Sequence, residues 1–561
     1  MAWFAQVLSR YPELGIYLVL GLGFWLGRVR FRGFVLGGVA GSLLVGLVLG
    51  AWFAVPVSAA AKSLAFLLFL FGIGYEVGPS FTAMKGLGWR LAALGVFMPV
   101  VGLATAWAVA RAASLDAGLA AGMLSGALTQ SPAMGTATEA LHALPMDDAT
   151  RDVLLAHVGV AGTLCYLFGA IGLILMCTAI GPRLLGIDLR SASRELESEY
   201  GIARRSQGVQ AAWQPFETRA YRVPAGAAIE GRRVEEAERL VADSRLFVHR
   251  IRRNGELMEP VPGMAIEAGD LLAIAGRREV LVNVIGERAV EVEDRELLEI
   301  PIASHEVFVS KTRWVGATLE QIAISDEMRA VFLRRILRRG QEIPIGARTT
   351  IQRGDRLLLV GHERAVLRAA AGLGEVILPT DTTDFGVVGL AVFIGGLAGV
   401  VLAVPVGRIT LSLGTSVGVL LAGIVTGQLR ARRPSFGRIP DGAVKLMQVF
   451  GLGSFAAMVG LGAGPHFVSA VRASGIALPL GGAIVTLTPP LLALWFGRKV
   501  LRLHPVLLLG AICGGQTSTT ALSVLQEKSG SSIAVLGYSG AVPVAHVFLT
   551  TWGAVMVLLF H

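Results

Sequence analysis

Cysteine is scarce: Cys165, Cys177 and Cys513 are the three in 561 residues. All fall inside apolar segments without metal-ligand spacing, so no disulfide framework or thiolate metal site is expected, only packing. No Gly-x-Gly-x-x-Gly follows a strand-like run, which argues against a dinucleotide-binding unit. A Thr-Val-Gly-Tyr-Gly filter is lacking, as are a nucleophile–base pair and a clustered metal site. Neither a selective pore nor an enzyme is therefore indicated, and no catalytic residue, metal or cofactor is expected. No small-residue cleavage site precedes the first long apolar run, so no cleavable signal is expected. The net charge of +10 would suit nucleic acid, but most of the membrane-flanking Arg and Lys sit in short loops. Topology explains those better, and nucleic acid is not an expected partner.

Apolar residues and glycine fill the space. Hydrophobic residues make up 53% of the chain, glycine contributes 71, and mean hydropathy is +0.64. This composition describes a polytopic membrane protein with the lipid bilayer as its surroundings. Apolar runs fall at about 13–28, 34–55, 63–79, 91–113, 117–141 and 153–180. A charged stretch from Asp188 to about Thr383 follows, and runs resume at about 385–405, 409–428, 444–470, 474–497, 505–525 and 531–560. Gly38, Ser42, Gly46 and Gly50 form a small-residue ladder that suits a scaffold or dimer face.

The chain makes one stretch twice. Gly126-Ala-Leu-Thr-Gln-Ser-Pro-Ala-Met-Gly135 has a counterpart in Gly514-Gly-Gln-Thr-Ser-Thr-Thr-Ala521, with Gln130 and Gln516 separated by 386 residues. Gly78-Pro-Ser-Phe81 and Gly464-Pro-His-Phe467 show the same offset. Paired polar interruptions in two membrane halves point to a transporter's binding site, whereas a single copy would read equally well as helix packing.

Loop charge then decides orientation. Arg28, Arg30 and Arg32, then Lys85 and Arg90, mark two loops of the first half; Arg430, Arg432, Arg433 and Arg438, then Arg498, Lys499 and Arg502, mark two of the second. Lys62, Arg111, Arg408 and Arg472 stand alone in the others. The positive-inside rule puts the rich loops in the cytoplasm. Six full crossings per half would contradict that. Five crossings plus a re-entrant hairpin, carrying Gln130 in one half and Gln516 in the other, resolve it as an inverted repeat. Both termini are then extracytoplasmic.

The charged insert repeats with a period of 85: Gly269-Asp-Leu-Leu272 matches Gly354-Asp-Arg-Leu357, and Gly231, Arg250, Gly255 and Gly276 match Gly316, Arg335, Gly340 and Gly361. Two small α+β domains fit. Arg250-Ile-Arg-Arg253 and Arg334 to Arg339 read equally as a phosphate-binding face or as a charge-protected strand edge. The expected division is 1–185, first membrane repeat; 186–292, linker and first central domain; 293–383, second central domain; and 384–561, second membrane repeat.

These residues resemble the aspartate–alanine exchanger family of secondary transporters over essentially the whole length. The resemblance rests on Phe71-Gly-Ile-Gly-Tyr-Glu-Val-Gly-Pro-Ser-Phe81 and Gly126 to Ala133, with Val459-Gly-Leu-Gly-Ala-Gly-Pro-His-Phe467, Leu536 to Pro543 and Trp552-Gly553 in the second half. The central repeat is similar to the C-terminal domains of potassium-conductance regulators (RCK-C type). The resemblance implies an antiporter of amino acids or dicarboxylates, aspartate for alanine or glutamate and succinate. It also implies alternating access of an elevator kind, a homodimer and the bacterial inner membrane. A regulatory role for the insert, with a small-molecule effector, is expected from its repeat and placement. The runner-up is an ion channel gated by the central domains.

An anionic or zwitterionic substrate needs hydrogen-bond donors and positive potential, which broken helices supply at their N-termini. Thr129, Gln130, Ser131 and Pro132 of the first hairpin and Gln516, Thr517 and Ser518 of the second are the candidate binding residues. Gly126, Gly514 and Gly515 would permit close backbone approach. Glu76, His157 and His546 are candidates for a coupling proton or cation. For Glu76 a solvated carboxylate, and for the histidines a satisfied core position, are the plainer readings. Tyr538 reads as packing.

Overall fold

The computed structural model describes residues 2–31, 34–35, 37–53, 55–79, 87–202, 217–240, 246–276, 290–300, 302–338, 340–377, 382–406, 409–412, 414–433 and 436–560. Arg32, Ser80, Phe81, Lys85, Arg339 and Arg408 lie outside these. The first half opens with α1 (Ala2–Arg10), α2 (Pro12–Gly27), α3 (Gly38–Trp52), α4 (Ala59–Val77) and α5 (Leu87–Ala112). It continues with α6 (Ala117–Ala127), α7 (Ser131–Ala143) and α8 (Asp148–Leu175), followed by α9 (Gly181–Leu185) and α10 (Leu189–Glu199). The second half holds α11 (Phe385–Val401), α12 (Gly414–Arg432), α13 (Asp441–Ala463), α14 (Ala477–Trp495), α15 (Pro505–Gly515), α16 (Thr519–Ser529) and α17 (Val535–Phe560). Among the described residues, six helical segments are long and apolar enough to cross a bilayer: Ala59–Val77, Leu87–Ala112, Asp148–Leu185, Asp441–Arg472, Ala477–Val500 and Val535–Phe560. Helix α11 turns Phe385, Leu390, Phe393, Ile394, Leu397 and Val400 outward. A face like that needs hydrocarbon around it.

The two polar runs break where the sequence places their polar residues. An 11-residue helix such as α6, α15 or α16 rises only about 16 Å, roughly half the hydrocarbon core. Each pair is therefore a helix–turn–helix whose single helices are shorter than the hydrocarbon core.

Glycine brings the helices together, and it does so twice in the same way. A β-carbon on Gly41 would sit 2.0 Å from the Gly23 carbonyl oxygen, and one on Gly418 would sit 2.1 Å from that of Gly395. Gly46 and Gly50 of α3 abut the α13 backbone at Ala457 and Leu461, as Gly423 and Gly427 of α12 abut α4 at Phe71 and Tyr75. Each half thus lends a helix to the other. The ladder at 38–50 is spent on α2 and α13 within the chain, which selects the scaffold reading over the dimer face. Gly50→Val would push a β-branched side chain into the Leu461 carbonyl, 2.2 Å from the β-carbon. Loss of monodisperse protein on size-exclusion chromatography is expected, while Gly21→Val, with nothing within 4 Å, should leave the yield unchanged.

Between the halves lie two five-stranded sheets. The first has β1 (Glu217–Arg222), β2 (Phe247–Arg253), β3 (Glu256–Met258), β4 (Leu271–Gly276) and β5 (Val290–Glu291) in the order β3-β2-β4-β1-β5. The second has β6 (Ile302–Val309), β7 (Val331–Arg338), β8 (Gln341–Ile343), β9 (Arg356–His362) and β10 (Gly374–Val376) in the order β8-β7-β9-β6-β10. Order, a bulge at His249 and at Arg334, and left-handed turn glycines at Gly255 and Gly340 all recur at the 85-residue period. An Arg–Asp pair recurs at the same period: Arg253 with Asp270 and Arg338 with Asp355, both at 2.7 Å. Arg252 pairs with Asp294 and Glu296. Together with Arg253 it is engaged inside the unit, on a strand paired on one side with β3 and on the other with β4, so the basic run does not guard a strand edge.

The second sheet unit touches both halves. Arg356 pairs with Asp441 at the start of α13, and Arg430 near the end of α12 lies over Phe308, 5.4 Å from the ring centroid. On the other side Arg348 N–H donates to Tyr200 O, just beyond α10, while Arg190 of α10 donates to Lys528 O at the end of α16. The units join through Glu238 and Arg329, 2.6 Å apart, beside a cleft of about 120 Å³ lined by His249, His362, Arg364 and Arg368. Burial first, then the charges of His362 and Arg329, push His249 down to about 4. A histidine held neutral in the fold stabilises it above its free pKa near 6.5 and loses that contribution as pH falls toward 4. Hydrogen exchange in residues 246–276 should accelerate over that window, corresponding to a loss on the order of 3 kcal/mol, and His249→Gln should flatten the dependence.

Candidate functional site

Each tip is built from local rules. Asp116 starts α6 by accepting from Leu119 N at 2.8 Å, and the helix ends at Leu128. Thr129 then takes φ +55, and α7 begins at Ser131 with Pro132 in its first turn. In the second hairpin α15 ends at Gln516, Thr517 takes φ +51, and Ser518 caps α16 through Ala521 N at 3.2 Å. A β-branched residue at positive φ is strained by roughly 1–3 kcal/mol, a conformation that clusters at ligand sites. Both tips adopt it with threonine.

The shared geometry corrects the register read from the sequence. Thr129 N bonds Gly126 O and Thr517 N bonds Gly514 O, each at 2.9 Å; Gln130 N bonds Ser125 O as Ser518 N bonds Cys513 O. Thr129 therefore corresponds to Thr517, and Gln130 to Ser518. Gln516 takes the place of Leu128. The glutamines are not equivalent, yet the fold brings their two tips together.

Thr517 Oγ1 donates to Gln130 Oε1 across the halves at 2.9 Å, and Ser125 Oγ donates to Gln130 O at 2.7 Å. Gln130 and Gln516 are each 1% exposed. Among the described residues, Gln130 Nε2, Gln516 Nε2 and Oε1, and Thr129 Oγ1 are buried without a hydrogen-bond partner. Each unmet group costs about 1–3 kcal/mol, and all four sit on residues at the two tips that the Thr517–Gln130 bond brings together. Ser131 and Pro132 are buried at the start of α7, with Thr517 and Ser518 half-buried opposite. Two amide donors, a hydroxyl and the free N–H groups of a helix N-terminus suit a carboxylate.

The glycines act in packing. Gly126 and Gly514 fit against the carbonyls of Gly162 and Tyr538, and Gly515 against Met98. The three proposed titratable groups lie elsewhere. Glu76 accepts from Gln448 Nε2 at 2.6 Å, near Gly340 of the second sheet unit. His157 meets Asp116 at 2.7 Å at the base of the first hairpin, and His546 is half-buried on α17. Tyr538 is buried on the same helix. The cysteines are free, with Cys177 and Cys513 sulfurs 3.5 Å apart.

Sequence reasoning missed two supports. Thr486, fully buried on α14, donates to Ala127 O at the end of α6, and Trp552 Nε1 donates to Pro99 O at 2.8 Å. Thr486-Leu-Thr-Pro-Pro490, a polar and proline interruption of an apolar run, was the available signal for the first. Glu139 was missed as well. It accepts from Thr415 and from Ser416 N, capping α12 at the end remote from Arg430. Fifteen residues of helix, about 22 Å, thus separate the base of the first hairpin from the sheet units, whereas the second hairpin meets α10 beside them.

Two helix–turn–helix tips that meet inside a polytopic helical chain have the form of a membrane transporter. A family model described as a predicted permease membrane region, that of the aspartate–alanine exchangers, matches residues 15–182 and 387–558. The chain belongs to this family. An uncharacterized transporter of Bradyrhizobium diazoefficiens is 46% identical over 92% of this chain and all of its own length. Another from Bordetella parapertussis is 38% identical over 99% of this chain and 98% of its own, and one from Shewanella oneidensis is 32% identical over both full lengths. No solved structure matches the chain.

Proposed function

We propose that the protein is a secondary antiporter that exchanges small carboxylates, amino acids or dicarboxylates, between its hairpin tips. The observation carrying this reading is the convergence of Gln130, Thr129 and Gln516, with their unmet polar atoms, on the Thr517–Gln130 contact. The hairpins enter from opposite faces as an inverted repeat, with the Arg-rich loops and sheet units in the cytoplasm.

An asymmetry supports alternating access. Residues 131–137 of α7 are buried, whereas α16 exposes Thr519, Ser523 and Glu527 on one stripe. That polar stripe suits a water-filled route on the sheet-unit side, with the other side closed. Elevator-like movement of the hairpins against α3, α4, α12 and α13 is the proposed mode. Glu76, His157 and His546 remain the proposed coupling groups, and Thr517 and Ser518 the neutral ligands of the second tip. The homodimer, the inner-membrane location and the RCK-C likeness rest on the family resemblance. Regulation by the sheet units is supported by their bridge from Asp441 to α10, and the cleft beside Arg329 would take a small effector. Counterflow in proteoliposomes tests the exchange.

A further inference from the structure

Helices α4 and α13 pack antiparallel and match each other at an offset of 386 residues. Gly451 abuts the Ala65 carbonyl, and Gly74 and Gly460 occupy equivalent places against α12 and α3. Under that exchange Gln448 corresponds to Lys62 and Glu76 to Gly462. In one copy the pair is complete, since Gln448 Nε2 donates to the Glu76 carboxylate at 2.6 Å. In the other, Lys62 Nζ lies 3.9 Å from where a β-carbon on Gly462 would be, and the carboxylate is missing.

Lys62 also lines a cavity of about 280 Å³ bounded by Ser63, Phe66, Gly135, Glu139, His142 and Phe455. Ala59, Ala60 and Ser63 at its rim are exposed, so it opens to solvent at the end of α4 remote from the sheet units. Among the described residues the Lys62 ammonium makes no hydrogen bond or ion pair, while its backbone N–H donates to Ser58 O; Asp152 acts on the ammonium only through space. Glu139 is committed to Thr415 and Ser416. The floor, where Phe66 meets Phe455 at 4.7 Å and covers Gly135, is about 7.5 Å along α7 from Gln130.

We propose that this cavity is a carboxylate subsite: the carboxylate of a small amino acid or dicarboxylate takes, beside Lys62, the place that Glu76 takes beside Gln448. The inference rests on the exchanger reading for the identity of the carboxylate. It adds an outer waiting position, separated from the tips by the Phe66–Phe455 contact. A volume at the low end for ligand pockets suits a molecule of that size, and an unpaired lysine in a partly apolar cavity strengthens the attraction.

The test uses the full-length protein in lipid nanodiscs with succinate, aspartate, alanine and inorganic phosphate as probes. Acylation of Lys62 by an amine reagent is followed by peptide mass spectrometry, alongside equilibrium binding of labelled succinate and aspartate. Succinate or aspartate is expected to protect Lys62, and Lys62→Gln to weaken binding on the order of tenfold or more. Gly462→Glu, which supplies the missing carboxylate within the chain, should do the same, and Gly462→Ala should not. Protection by phosphate equal to that by succinate would overturn the carboxylate assignment. Unchanged binding in both Lys62→Gln and Gly462→Glu, or no protection by any probe, would overturn the site. Exchange in vesicles with Lys62 unprotected would remove the subsite alone; protection without exchange would remove the transport reading and leave the subsite.

Discussion

Replacing Gln130 by alanine is expected to slow exchange roughly 10- to 150-fold, the value of one hydrogen bond to a charged ligand in a buried site. Gln516→Ala should act similarly, and the double variant should leave no measurable exchange. The side chains contribute little to the fold. Three of the four amide atoms of the two glutamines are without partners, and the fourth holds one bond, to Thr517. Folded yield and thermal midpoint should therefore change little, by about 1 kcal/mol or less. Initial rates in proteoliposomes, normalised to reconstituted protein, check this. Normal rates in both single variants would move the site away from the tips.

The second large effect concerns stability. In the second sheet unit the Arg338 and Asp355 side chains are 5% and 1% exposed, and the arginine binds the carboxylate through Nε and Nη2. Arg338→Ala leaves a buried carboxylate without its charge partner, which costs about 3–5 kcal/mol. In the first unit Arg253, 22% exposed, pairs with the same geometry to Asp270. Water reaches that arginine, so Arg253→Ala should cost less. Hydrogen exchange read separately over residues 246–276 and 331–362 should show the larger loss of protection in the second window. Equal losses would mean that burial of the arginine does not set the cost.

Much of this fold was legible. The 85-residue period in the insert reappears strand by strand because turn glycines and the Arg–Asp pair fix the same β topology twice. The apolar runs became helices within a few residues, and the two runs with interior Gln, Ser and Thr broke at those residues. The tip register was not legible. Matching glutamine to glutamine follows side-chain identity, whereas the backbone aligns the left-handed threonines, two residues away, and no composition signal distinguishes those choices. Glu139, Thr486 and the cavity at Lys62 were hidden for another reason: each depends on a contact between helices hundreds of residues apart. The 38–50 ladder announced close packing but not against which helix.

Counterflow tests the central claim most directly. Proteoliposomes would be loaded in turn with alanine, aspartate, glutamate or succinate, with labelled aspartate and succinate outside. The account predicts uptake that requires a particular internal substrate and disappears in the Gln130→Ala/Gln516→Ala double variant. Uptake indifferent to the internal solution, or an ionic conductance with no uptake under any loading, would contradict it.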